Sequence, residues 1–239
     1  MAKIEVIGQP SGQDVQEFIA WALTQDAAQN PLNDPTGERA ARNQGRYRVW
    51  FIPGTTTHKD KITRTCAVPS NREILILAAT SDSSYLEHKD AKNDGQLLEI
   101  ARAVAKLHRD VEIRIRDEAG NEEKTFGVRD ANNPQEGELK LIEEPAFPMV
   151  IPVNNIYRQL YGVGGGYTHL AVVALGIKVK LKDGKYRLIM KAHHDGTSQP
   201  LKVDNLEVDA PRFNLDLEYQ LSAIPEEEET AYPFNKYPE

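Results

Sequence analysis

The chain has 239 residues, 40% hydrophobic and 27% charged, which is enough to bury a sizeable core and too apolar for global disorder. Its 36 acidic against 29 basic residues give a net charge of −7, which argues against a nucleic-acid surface. The single cysteine, Cys66, excludes an intrachain disulfide and a thiolate metal site, and no apolar run approaches the roughly 18 residues that span a bilayer.

The opening MAKIEVIGQPSG carries no basic-then-apolar signal segment, so the chain as given reads as cytoplasmic or exported by an unconventional route. Ser11 to Leu23 is expected to be a helix: Ser11 serves as N-cap, Asp14 follows three residues later, and Val15, Phe18, Ile19 and Ala22 share one face. Asn30 to Arg46 is polar and turn-rich, with Pro31, Pro35 and Gly37 blocking regular structure. Strands rich in β-branched and aromatic residues follow at Tyr47–Ile52, Ile62–Val68 and Glu73–Ala79.

Gln96 to His108 is the clearest helix, with Leu97, Ala101, Val104 and Leu107 opposite Glu99, Arg102 and Lys106. Val111, Ile113 and Ile115 then alternate with charged residues, as in a half-buried strand, and Glu118-Ala119-Gly120-Asn121 turns into a partner at Lys124–Arg129. Further strands are expected at Glu138–Ile142, Met149–Val153, Ala171–Leu181, Lys185–Lys191, Leu201–Val208 and Phe213–Leu221, with a tight hairpin at Lys182-Asp183-Gly184-Lys185. So many short strands between turn signals point to one antiparallel β-sandwich, jelly-roll-like, with the two helices at its periphery. The domain covers residues 1–225, and 226–239 form an acidic, aromatic tail.

Four blocks carry a resemblance: Asn30-Pro31; Asp34-Pro35-Thr36-Gly37; Val49-Trp50-Phe51 with Gly54-Thr55; and Arg64-Thr65-Cys66-Ala67-Val68-Pro69. In this order they resemble a family of mostly secreted bacterial β-rich proteins without an established activity. Weaker likeness continues through Phe147–Asn155, Lys182–Met190 and Phe213–Leu221. The resemblance implies a β-rich fold and no catalytic residues. Members often carry a second cysteine shortly after the Thr-Gly step, where this chain has Glu38-Arg39-Ala40-Ala41. That departure fits a reducing compartment, which has no use for the bond.

Candidate sites are weighed against plainer readings. His193-His194-Asp195 is the best metal candidate, but neighbouring strand residues point to opposite faces, so an exposed turn comes first. Asn30, Asn33 and Asp34 offer calcium-type oxygens, and Asx side chains more often cap their own turns. Gly162 to Gly166 lacks the Lys-Ser/Thr and following helix of a phosphate cradle. Ser81, Ser83 and Ser84 with Asp82 and His88 have no nucleophile elbow around them. Arg39, Arg42, Arg46 and Arg48 read as a solvated or ion-paired face.

The sequence therefore points to a non-enzymatic structural or self-assembling protein with no cofactor, storage- or lattice-forming, in which Tyr232, Phe234 and Tyr237 dock on a neighbouring copy after the acidic run Glu226–Glu229. Such docking implies a homo-oligomer. One alternative is a carbohydrate- or small-ligand-binding module using Trp50, Tyr85 or Tyr161, and a second is a metal-dependent enzyme using His193, His194 and Asp195. A deep pocket in which Asp, Glu or His side chains converge with shifted pKa values is the arrangement that would speak against a non-enzymatic role.

Overall fold

The computed structural model describes residues 3–55, 61–70, 72–210 and 212–225, and the fold is mainly β. In chain order, β1 (Ile4–Gly8) leads to α1 (Gly12–Leu23), two short 3-10 turns (Ala27–Gln29 and Pro31–Asn33), β2 (Trp50–Ile52), β3 (Ile62–Pro69), β4 (Ile74–Ser84) and α2 (Asp94–Ala105). After these come β5 (Arg109–Asp117), β6 (Glu123–Asp130), β7 (Ile142–Ile151), α3 (Ile156–Tyr161), β8 (Gly166–Leu181), β9 (Gly184–His194), β10 (Leu201–Val203), β11 (Leu206–Val208) and β12 (Phe213–Ile224). Among the described residues no helix is long and apolar enough to cross a membrane.

The first sheet runs β1-β8-β4-β2, with β7 also on β8; the second runs β3-β12-β9-β5-β6; β10 and β11 make a separate hairpin. The purely antiparallel arrangement expected from the sequence is not what forms. β2 pairs with β4, and β3 with β12, in parallel. The chain goes from β2 in the first sheet to β3 in the second and back to β4, and such a crossing is what parallel pairing requires. The Asp183-Gly184 step is a second correction. β8 and β9 do not pair: they belong to different sheets, so the turn carries the chain from one sheet to the other. The strand expected at Glu138–Ile142 is also absent, because β7 starts at Ile142 and runs unbroken through the Met149 region.

Each helix begins where a side chain satisfies its free N–H groups. Ser11 Oγ accepts from Asp14 N while the Asp14 carboxylate accepts from Ser11 N, a capping box. Asn93 caps α2 and Asn155 caps α3, the helix that the sequence reading lacked. A buried carboxylate at the third position of α1 requires cations. Asp14 meets Lys178 of β8 at 2.9 Å and Arg48 at 2.8 Å, and both also reach Glu73.

The largest core cluster joins the two sheets through Ile74, Ile76 and Ile177 on one side and Ile113, Leu188 and Leu217 on the other. The opposite face of the first sheet packs on α1 and α3 through Phe18, Leu75, Leu77, Val172 and Tyr157. α2 lies over the start of β8, with Ala101 and Ala105 against Val173.

Arg64 of β3 draws the turn-rich segments onto the sheets. The guanidinium is 1% exposed; Nη1 donates to the Gly54 carbonyl at 2.7 Å and to Tyr219 Oη at 2.9 Å, and Nη2 donates to the Leu32 carbonyl at 3.3 Å. Gly37 lies so close that a Cβ there would meet the Thr65 carbonyl at 2.6 Å, with φ +93° besides. Separate loops are thus pinned to one buried cation. Cys66 lies beside it, and burial pushes the thiol up to about 12, so it acts as a small apolar residue.

Two features of the first sheet place the site. β2 stops at Ile52, and on its outer side the Gln44 amide replaces a neighbouring strand, accepting from Phe51 N at 2.9 Å and donating to Phe51 O at 2.7 Å. Beyond Ile76, then, β4 is paired among the described residues with β8 alone. The second feature is a bulge at Ala78, across from Gly176, where a Cβ would sit 2.5 Å from the Ile76 carbonyl. Ala78 and Ala79 both face the second sheet as a result, and the alternation of β4 is inverted from there on.

Candidate functional site

Along the unpaired stretch of β4 lies a cavity of about 600 Å³. Its walls are Phe18 and Ala22 of α1, Leu77 of β4, Ile100 and Val104 of α2, and Tyr157 and Leu160 of α3. Most of that surface is apolar, and the volume is within the range of small-molecule sites. A more polar hollow adjoins it, sharing Glu87, His88 and Val163, and Gly162 and Gly164 line its edge. Instead of cradling phosphate, this glycine run terminates α3, Gly162 taking φ +72° as the left-handed C-cap.

Two carboxylates stand on the cavity wall. Because of the bulge, Asp82 points to the α3 side of the sheet, where the Tyr157 hydroxyl donates to Oδ2. Glu87, in the segment after β4, accepts from Ser84 Oγ at 2.8 Å. Burial pushes the Asp82 carboxyl up, and the hydrogen bond from Tyr157 does not offset it. Burial also pushes Glu87 up, and the nearby charge of Asp82 pushes it further. The two titrate together, and the pair holds a proton at pH values where ordinary carboxylates have lost theirs. His88 is beside them, its imidazole pushed down by burial.

A second polar group faces the same cavity from the other side of β4. Ser81 Oγ lies 3.4 Å from His108 Nε2, and the His108 ring meets His194 edge-on, with centroids 5.1 Å apart. His194 stacks on Phe213 at 5.9 Å, and its Nδ1 accepts from Gly196 N at 3.1 Å. His108 is 3% exposed, and burial, then the neighbouring imidazoles and Arg109, drive it down to about 3. Among the described residues its Nδ1 has no partner, so no carboxylate orients the ring as a catalytic triad would require.

The structure sorts the remaining candidates. His193 and His194 are successive residues of β9 and face opposite ways, so only His194 reaches the cavity. Among the described residues no three His, Cys, Asp or Glu side chains are arranged to hold a metal ion. The Asn30 and Asp34 oxygens cap turns: Asn30 accepts from Leu32 N at 3.0 Å, and Asp34 accepts from Thr36 N at 2.9 Å and Arg39 N at 2.7 Å. Asn33 donates to Gln159 at 3.0 Å. Arg48 is ion-paired, Arg42 donates to Gln29 at 2.6 Å, and Arg46 lies over the Tyr47 ring. Trp50 is 1% exposed and belongs to the core, and Tyr85 is half-buried, donating to Asp94 at 2.8 Å. Tyr161 closes α3. Tyr232, Phe234, Tyr237 and the acidic run before them lie outside the described residues.

The serine–aspartate segment of β4 does line the site, although the partners differ from those the sequence offers. Ser81 meets His108 instead of His88, and Ser84 meets Glu87. Sequence reasoning missed Glu87, Tyr157 and His108. The available signal was Asp82 itself, a carboxylate well inside a strand that is otherwise buried. Comparison of the chain with protein-family models, with curated proteins and with solved structures finds no match.

Proposed function

We propose that the protein binds a small organic molecule in the cavity along β4. The observation that carries this reading is the pairing of apolar walls with two half-buried carboxylates that have shifted titration and open onto the same space. Of the functions weighed from the sequence, small-ligand binding uses this feature, whereas a sugar platform would need exposed rings and Trp50 is in the core. Converging acids and imidazoles are also the arrangement named above as speaking against a non-enzymatic role, and they motivate the second reading below.

Thermal-shift screening of a small-molecule library tests it. A molecule present at a hundred times its Kd adds about 2.7 kcal/mol to stability. Ala22→Phe, which fills the cavity from α1, is expected to abolish the shift. If no molecule stabilises the protein, or hits are indifferent to Ala22→Phe, the reading fails.

A second reading uses the same pair as catalyst. One protonated and one ionised carboxyl side by side are an acid and a base, and a bound molecule with a transferable proton would turn over; product formation lost in Asp82→Asn separates turnover from binding. Self-assembly through the tail remains an expectation from the sequence, tested by light scattering of the 226–239 deletion against the full chain. Two sheets sharing one core support reading the fold as a sandwich.

A further inference from the structure

We propose that the molecule taken up is an amphiphilic amine, its ammonium head seated against Asp82 and Glu87 and its apolar body lying between α1 and α2. This rests on the cavity reading above and adds the charge of the ligand.

Each carboxylate that is fully buried among the described residues has its charge satisfied. Asp14 has Lys178 and Arg48, Glu218 has Arg187 and Lys61, and Asp117 has Lys3. Asp34 lacks a cation but accepts from Thr36 N, Thr36 Oγ1 and Arg39 N. Asp82 and Glu87 differ: their hydrogen bonds, from the neutral hydroxyls of Tyr157 and Ser84 and from the local backbone, do not offset their burial. Among the described residues no cation stabilises the charge of either. Arg212 lines the cavity, yet it does not enter the charge environment of Asp82 or Glu87. His88 and His108 are kept neutral by burial, and Asp209 adds a further negative group to the lining.

A ligand must complement that field. An anion would bring another negative charge into a poorly solvated space, where like charges repel strongly. A neutral molecule would leave the two carboxyls sharing their proton. An ammonium supplies both the missing charge and three donors for the carboxylate oxygens. The apolar side chains of α1 and α2 then require a hydrocarbon or aromatic body behind the charge.

Binding would be linked to protons. The amine pairs with the ionised carboxylates, so its arrival lowers their raised pKa values and expels the proton they hold. Affinity is therefore expected to climb as pH rises through and above neutrality, with proton release on binding. The groups facing the pair are Tyr157 from α3, and His88 and Ser84 from its own segment. His108, His194, Asp209 and Arg212 stand elsewhere around the cavity.

The test is isothermal titration of the full-length protein with n-octylamine, its neutral isostere n-octanol and its anionic counterpart octanoate. Two buffers of different ionisation enthalpy are used, at about pH 6 and about pH 9, on either side of the raised titration. At the higher pH octylamine is expected to bind roughly tenfold or more tighter than octanol, the difference that a hydrogen bond to a charged group makes. The preference should narrow at the lower pH, where the heat should report proton release. Asp82→Asn and Glu87→Gln should erase the preference for octylamine over octanol. The two-pH comparison on the unaltered protein serves if either variant fails to fold. Equal binding of octylamine and octanol, or tighter binding of octanoate, overturns the amine while leaving the cavity reading standing. Failure of all three to bind overturns the amine, and the library screen above then decides the cavity reading.

Discussion

Arg64→Met is the sharpest test of what holds the turn-rich segment to the sheets. Methionine approximates the length of arginine and keeps the apolar stem, so the change isolates the guanidinium. That group gives Gly54 O a hydrogen bond of 2.7 Å, Tyr219 Oη one of 2.9 Å and Leu32 O one of 3.3 Å, in a site 1% exposed. After the substitution one buried and two part-buried acceptors lose their donor, each a loss of about 1 kcal/mol. Relief of burying a cation without a facing carboxylate works the other way, so a net destabilisation of up to about 3 kcal/mol is expected. Tyr219→Phe should cost less, about 1–2 kcal/mol, because it removes one acceptor of Arg64 and the donor to the Pro53 carbonyl at 2.9 Å. Urea unfolding of both single variants and the double variant gives the coupling energy, which should reach about 1 kcal/mol for residues in one network. A midpoint shift for Arg64→Met worth less than about 1 kcal/mol at unchanged slope would refute the reasoning.

Other outcomes follow from the same geometry. Lys178→Met takes from Asp14 a cation at 2.9 Å and from Glu73 one at 3.3 Å, and should destabilise by about 3 kcal/mol in urea. Burial opposes ionisation of both carboxyls, but Lys178, together with the Ser11 hydrogen bonds to Asp14 and with Arg48 beside Glu73, outweighs it and holds them below their ordinary values of 3.8 and 4.5. The stability they contribute is present above those values and lost as pH falls through the depressed ones, so the variant should show a flatter acid limb. His108 has a folded pKa of about 3 against an ordinary 6.5, so its contribution is complete above 6.5 and declines as pH falls towards 3. His108→Leu should remove up to about 5 kcal/mol of that pH dependence, and an unchanged slope between those values would contradict the burial argument. Gly176→Ala should cost about 2 kcal/mol by thermal melt, since its Cβ meets the Ile76 carbonyl at 2.5 Å across the bulge, and a neutral result would mean that the bulge relaxes freely.

What could be read in the sequence was local. The Ser11–Asp14 capping box, the apolar stripe of α2 and the alternation of Val111, Ile113 and Ile115 each depend on neighbours within a turn or a strand; the box and the alternation form where expected, and the helix expected over Gln96–His108 runs Asp94–Ala105, with Leu107 in the turn after it. The pairing of strands was not legible in the same way. Asp183-Gly184 specifies a tight reversal, but whether the strands on either side pair depends on which sheet buries each of them. β8 is apolar on both faces, against α1 on one side and against the second sheet and α2 on the other, so its pattern cannot assign its partners.

The site was harder to read because it depends on a change of parity within one strand. Counting by twos from Ile74 and Ile76, residue 82 belongs with the face packed on the second sheet. The bulge at Ala78 spends one extra residue, and from Ala79 onward odd positions take that face. Asp82 is thereby turned towards α3 and meets Tyr157, 75 residues away in the chain, while Ser81 is turned towards His108. Nothing in the run Ala78-Ala79-Thr80 announces an inserted residue, because alanine is compatible with either face. The clue lies in the opposing strand, where Gly176 interrupts an otherwise branched and bulky run and leaves room for the Ile76 carbonyl. The same bulge sits where β4 has lost its β2 neighbour, so one irregularity both turns the carboxylate and accompanies the unpaired edge along which the cavity lies. A strand kept regular to its end would have preserved the core pattern and set Asp82 against the second sheet, away from Tyr157.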